Sequence, residues 1–126
     1  MPNKYGFTDA QWQSAIAEAT AILRLRASTE PGTITYSDLA AELTSITIGY
    51  HDPAMDYLLV QVSTEEHEAG RPLLSVIVIH KGGDMEPGNG FYELAKDLGF
   101  DVSNRLAFWT SELTRVQNYW YTHSPL

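Results

Sequence analysis

His80, Lys81, Asp84 and Glu86 crowd one end of the stretch HKGGDMEPGNGF, residues 80–91. An imidazole with two carboxylates can hold a divalent metal or shuttle protons as a general acid and base. The metal reading competes with the four glycines and Pro87 of the stretch, which fit a strand exit and turn better. A phosphate cradle is disfavoured, because GGDMEPGNG lacks the G-K-[ST] ending and sets carboxylates where an anion would sit. A nuclease centre of the carboxylate-and-lysine type would need an acid two positions before Lys81, where Ile79 stands. Acid–base work by His80 with Glu86 requires a cleft. The other imidazoles, His51, His67 and His123, form no ligand pattern of defined spacing. Glu65, Glu66, His67 and Glu68 read most simply as the solvated end of a helix, with a metal held by these acids as the alternative. Ser75 has no nucleophile-elbow sequence around it. No catalytic residue, metal ligand or cofactor is therefore assigned.

The elements that must position these groups follow from the pattern. Thr8 to Gln11 matches a capping box, and Trp12, Ala15, Ile16, Ala19, Ile22 and Leu23 recur at helical spacing, predicting a helix from 9 to about 28. Pro31 and Gly32 stop it. Thr33 to Tyr36 is short and β-branched, and SDLAAEL predicts a helix capped by Ser37 and ending near Thr44. Asp52 with Pro53 starts a third helix, whose Met55, Leu58, Leu59 and Val62 form one stripe and which runs to about Ala69, where Gly70 ends it. Leu73 to His80 (LLSVIVIH) predicts a strand covered on both faces. Asn89 or Gly90 begins a helix closed by Gly99, and Val102, Leu106, Trp109, Leu113, Val116 and Trp120 mark the seam of a long last helix. The fold class expected is α+β, mainly helical: a winged-helix-like helix-turn-helix core with a small sheet and a long C-terminal helix, in a single domain over residues 1–126.

Composition narrows the function classes. The 126 residues carry 16 acids against 8 bases, a net charge of −8, which argues against a large basic footprint on nucleic acid. No cysteine is present, so neither a disulfide framework nor a thiolate nucleophile exists. The longest apolar run, Leu73 to Ile79, is too short to span a bilayer, and MPNKYGFTDAQW lacks the apolar core of a secretory signal. A cytoplasmic protein with no membrane association is expected.

Through TITYSDLAAEL the chain resembles the DNA-binding domain of the O6-alkylguanine DNA alkyltransferase and alkyltransferase-like family. Phe7, Thr8, Pro31, Gly32, Ile34, Thr35, Tyr36, Leu39 and Ala40 fall in order on the family's first two segments. Asp52 to Leu59 overlays its recognition helix, Pro72 the start of its active-site strand, and PGNGFYELAKDLGF its closing glycine-rich turn and helix. The overlap spans about residues 7 to 100. It implies a winged-helix domain in which Tyr36 matches the tyrosine that helps rotate a phosphate. The departures are chemical: Leu73 and Leu74 stand where the alkyl-accepting cysteine would be, and about Pro53 where the family inserts an arginine. Alkyl transfer is impossible without a thiol. Asp52 and Asp56 give the recognition helix the wrong sign for phosphates.

The leading expectation is a non-enzymatic recognition module of bacterial or phage origin, binding DNA or a DNA-processing protein. Tyr36, Tyr50, Arg71, His80 and Lys81 are its candidate contacts. The second is an acidic protein-binding module, a DNA mimic or inhibitor in phage–host conflict, using Asp52, Asp56, Glu65, Glu66 and Glu68. The third is a small hydrolase or nuclease using His80 and the loop acids. Aromatic residues on two faces of the last helix leave a homodimer through that helix and simple burial under the first helix as alternatives.

Overall fold

In a computed structural model, which describes residues 4–80 and 87–123, the chain forms helices α1 (Asp9–Ala27), α2 (Tyr36–Glu42), α3 (Pro53–Glu68), α4 (Asn89–Asp97) and α5 (Arg105–Thr122), with strands β1 (Ile34–Thr35) and β2 (Val78–Ile79). The class is α+β and mainly helical. Lys81, Asp84 and Glu86 lie outside the described residues.

Local sequence explains most boundaries. Thr8 and Gln11 form the reciprocal capping box of α1. Asp52 caps α3, its Oδ1 accepting from the Ala54 N–H at 2.9 Å, and Pro53 fits the first helical turn, where a missing N–H costs nothing. Gly70 and Gly99 leave α3 and α4 with φ of 81° and 97°, a backbone region glycine enters without a Cβ clash.

Two expectations are corrected. Thr35, not Ser37, caps α2: its hydroxyl accepts from the Asp38 N–H at 3.1 Å, so the helix begins at Tyr36 as soon as the strand ends. The run LLSVIVIH is only partly extended. Leu74–Ile77 forms a 3-10 turn and only Val78–Ile79 a strand, because side chains hold the turn from two sides. The Glu112 carboxylate accepts from the Leu73 N–H at 2.8 Å, and the Ser63 hydroxyl accepts from the Ser75 N–H at 2.9 Å.

β1 and β2 pair in parallel, Ile34 with Val78 and Thr35 with Ile79. This pairing joins the end of the α1–α2 connection to the segment after α3, placing Tyr36 beside His80. Residues 43 to 52 connect α2 to α3, longer than the three- or four-residue turn of a compact helix-turn-helix. The core gathers Leu23 of α1, Leu39 of α2, Leu58 and Val62 of α3, Phe91 of α4 and Val116 of α5 around the buried turn at Leu74–Ile77. Burial of each large aliphatic side chain contributes about 1.5–3 kcal/mol. α5 packs on α1 and on the turn, where the Trp109 indole N–H donates to the Val76 carbonyl at 3.3 Å. Its seam is nevertheless incomplete, since Leu106 is exposed.

Candidate functional site

Tyr36 stands at the first position of α2 with its ring buried against the His80 imidazole, centroids 4.9 Å apart and planes tilted by 32°. Its hydroxyl accepts from the Gly88 N–H at 2.8 Å, pinning the chain just before α4. A Cβ at Gly88 would meet that hydroxyl oxygen at 3.1 Å, so the close approach favours glycine. Burial raises the Tyr36 phenol above its ordinary value, which keeps it a neutral acceptor at physiological pH. Tyr36, Ser37, Tyr50 and His80 line one concavity of about 440 Å³. Tyr50 is 56% exposed and its ring contacts His51.

Asp56, one turn into α3, lines a separate hollow with Tyr36. Partial desolvation raises its carboxyl above the usual aspartate value, and the nearby His80 opposes the shift. Much of the side chain remains in contact with water, so the shift is worth little energy. Between Asp56 and Ser75 is a hollow of about 10 Å³, room for roughly one water molecule. Ser75 is buried there and its hydroxyl is bound to that of Ser63 at 2.6 Å, a structural pairing rather than a nucleophile.

The parallel pair thus brings Tyr36 to His80, and the α2–α3 connection adds Tyr50 to the same concavity, so three of the expected contacts meet there. Arg71 is elsewhere: its Nη2 lies 2.9 Å from Glu66 Oε1, an oxygen that also takes Nη2 of Arg24 at 2.6 Å. Glu66 is 1% exposed, which corrects its assignment to an acidic surface. It is the buried counterion of two arginines, joining α1, α3 and the segment after α3. Asp52 is spent on the α3 cap, whereas Glu65, Glu68 and Asp56 face solvent. Sequence reasoning missed Glu112, which is buried on α5, accepts from Leu73 and pairs with Arg115.

Three further cations are engaged within the chain, while Lys96 is exposed on α4 and Lys81 lies outside the described residues. Arg26 bridges to Glu42 at 2.8 Å, and Arg105 donates to Asn89 at 2.6 Å with its guanidinium over the Tyr92 ring. The Lys4 ammonium lies over the rings of Tyr5 and Tyr57. Among the described residues no group of three or more His, Asp and Glu is placed to hold a metal ion, and no helix is long and apolar enough to cross a membrane. No family model matches the chain, and neither a curated protein nor a solved structure does.

Proposed function

We propose that the chain is a winged-helix-like, non-enzymatic recognition module whose target is a protein of DNA metabolism rather than bare DNA. The observation that carries this reading is the fate of the arginines: Arg24, Arg26, Arg71, Arg105 and Arg115 each have a partner inside the chain. Phosphate recognition depends on cations that can leave water for the backbone, and these would first have to break existing pairs. The exposed acids Asp38, Asp56, Glu65, Glu68, Glu93 and Asp97 repel phosphates and suit a basic protein surface. They are spread over α2, α3 and α4, which favours local pairing with a basic segment over imitation of a regular phosphate ladder. The winged-helix-like architecture is supported by the order α1, β1, α2, α3, β2 and by the joining of β1 to the strand that follows α3. Self-association through α5 would have to use Leu106 and Tyr121, the exposed large side chains of that helix.

Fluorescence anisotropy of a labelled duplex between about 50 and 200 mM salt tests this reading, because phosphate contacts make affinity fall steeply over that range. The expected outcome is no saturable binding. Salt-sensitive binding at micromolar protein would overturn the choice of protein over DNA.

A hydrolytic reading has one observation in its favour, the concavity beside His80. Hydrolysis of generic ester or phosphodiester reporters that disappears in His80→Ala, with the fold intact, would replace the recognition reading.

A further inference from the structure

The geometry points to the groove between α3 and α4 as the docking site for a basic amphipathic helical segment of a partner protein; this deepens the recognition reading and rests on it. The groove encloses about 350 Å³. Tyr57 and Val60 of α3, Leu94 of α4 and Tyr5 form its apolar surface, and Asp56, Glu93 and Asp97 supply its carboxylates. Helical spacing produces this arrangement. Asp56 and Val60 are four residues apart on α3, as are Glu93 and Asp97 on α4, so each pair shares one face.

The chemistry of the occupant follows from charge and shape. An apolar floor beside three carboxylates accepts a helix that presents Leu-type side chains one turn apart, with Arg or Lys flanking them. Glu93 is exposed and accepts a 3.2 Å hydrogen bond from Asn89 on one oxygen, leaving the carboxylate accessible to a guanidinium. One ammonium already lies at the aromatic end: Lys4 Nζ is 5.3 Å from the Tyr57 centroid and 5.6 Å from that of Tyr5. Lys96, on α4, does not line the groove. A second copy of this chain is a poor occupant, because it brings another net charge of −8 and arginines that are already paired. The partner is therefore a different protein carrying the opposite charge.

The test uses the full chain and a synthetic helical peptide of about 18 residues, with Leu and Arg at three- and four-residue spacing, beside a control in which Glu replaces each Arg. Amide chemical shifts should move at Tyr57, Val60, Glu93, Leu94 and Asp97 with the Arg peptide and not with the control. The combined variant Asp56→Asn, Glu93→Gln, Asp97→Asn should bind at least about tenfold more weakly and lose most of the salt dependence of the wild type. Shifts centred on Tyr50 and His80, with the variant binding like wild type, would overturn the groove and leave the recognition reading standing. Absence of Arg-peptide binding would also overturn the groove. Only the duplex titration bears on the choice between protein and DNA, so the two failures are distinguishable. Chemical shifts at the groove that depend on protein concentration without peptide would assign it to self-association and refute the proposal.

Discussion

Glu66 and Asp56 are both carboxylates on α3, and the fold uses them in opposite ways. Glu66 is sealed inside the molecule with Arg24 and Arg71 on one oxygen, whereas Asp56 stands at the edge of two concavities and no ion pair to it is present among the described residues. The first carboxylate exists for the chain's own architecture, since it ties three separate segments together. The second remains available to something outside. A charged residue in this protein thus reports on function only after its neighbours are known. The division also sets the energetic expectations: removing one member of a buried pair strands the other charge, while removing an exposed carboxylate strands nothing.

Glu66→Gln should give the largest effect. The amide still fills the space and can accept one hydrogen bond, but two guanidiniums lose their common anion. Breaking a buried pair costs about 3–5 kcal/mol, and the partial exposure of both arginines places this case at about 3 kcal/mol. Urea denaturation of wild type and variant measures it. A loss below about 1 kcal/mol would put Glu66 in the class of surface pairs and erase the contrast with Asp56.

Tyr36→Phe probes the boundary between the two regions, because its ring belongs to the core and its hydroxyl to the site. The substitution leaves the ring in place against His80 and removes the acceptor of the Gly88 N–H. A loss of about 1 kcal/mol is expected, with faster hydrogen exchange at the Gly88 amide. Unchanged exchange at Gly88 would mean that the hydroxyl does not hold the entry to α4.

The same contrast marks what the sequence could disclose. Capping signals at Thr8, Asp52, Gly70 and Gly99 are local, and they placed α1, α3 and α4 within a residue or so of their observed ends. The LLSVIVI run was legible as buried but not as turned, because a continuous apolar stretch has no period, and the Glu112 and Ser63 side chains that hold the turn come from distant helices. Glu66 looked like part of a solvated EEHE end. Yet it lies four residues after Val62 and seven after Leu59, on the buried stripe of α3, so its register already disagreed with its polarity. Glu112 carried a similar signal four residues before Val116. An acid in register with an apolar stripe predicts a buried partner, although not which one. The sites facing outward were less legible: Tyr36 meets His80 through the parallel pairing of β1 with β2, and Asp56 comes to line one groove with Glu93 through the packing of α3 on α4.

Asp56→Asn should give the smallest stability change, and its sign separates the two carboxylates most sharply. Desolvation raises the folded-state value of Asp56, so the folded protein holds its proton more tightly than the unfolded chain. The ionised carboxylate therefore costs stability, in full above the folded-state value and not at all below the unfolded aspartate value of about 3.9. The neighbouring His80 opposes the shift and so reduces this cost, while Tyr36, Glu93 and Asp97 provide no cation to offset it. The amide removes the cost. Asp56→Asn should thus be slightly more stable than wild type at pH 7, by less than about 0.5 kcal/mol after solvent screening, and the difference should vanish as the pH falls below about 4. Parallel urea titrations at pH 7 and at the lower pH measure both quantities. A variant less stable than wild type at neutral pH would show that Asp56, like Glu66, serves the fold, and the groove would lose the carboxylate that sets it apart from the interior.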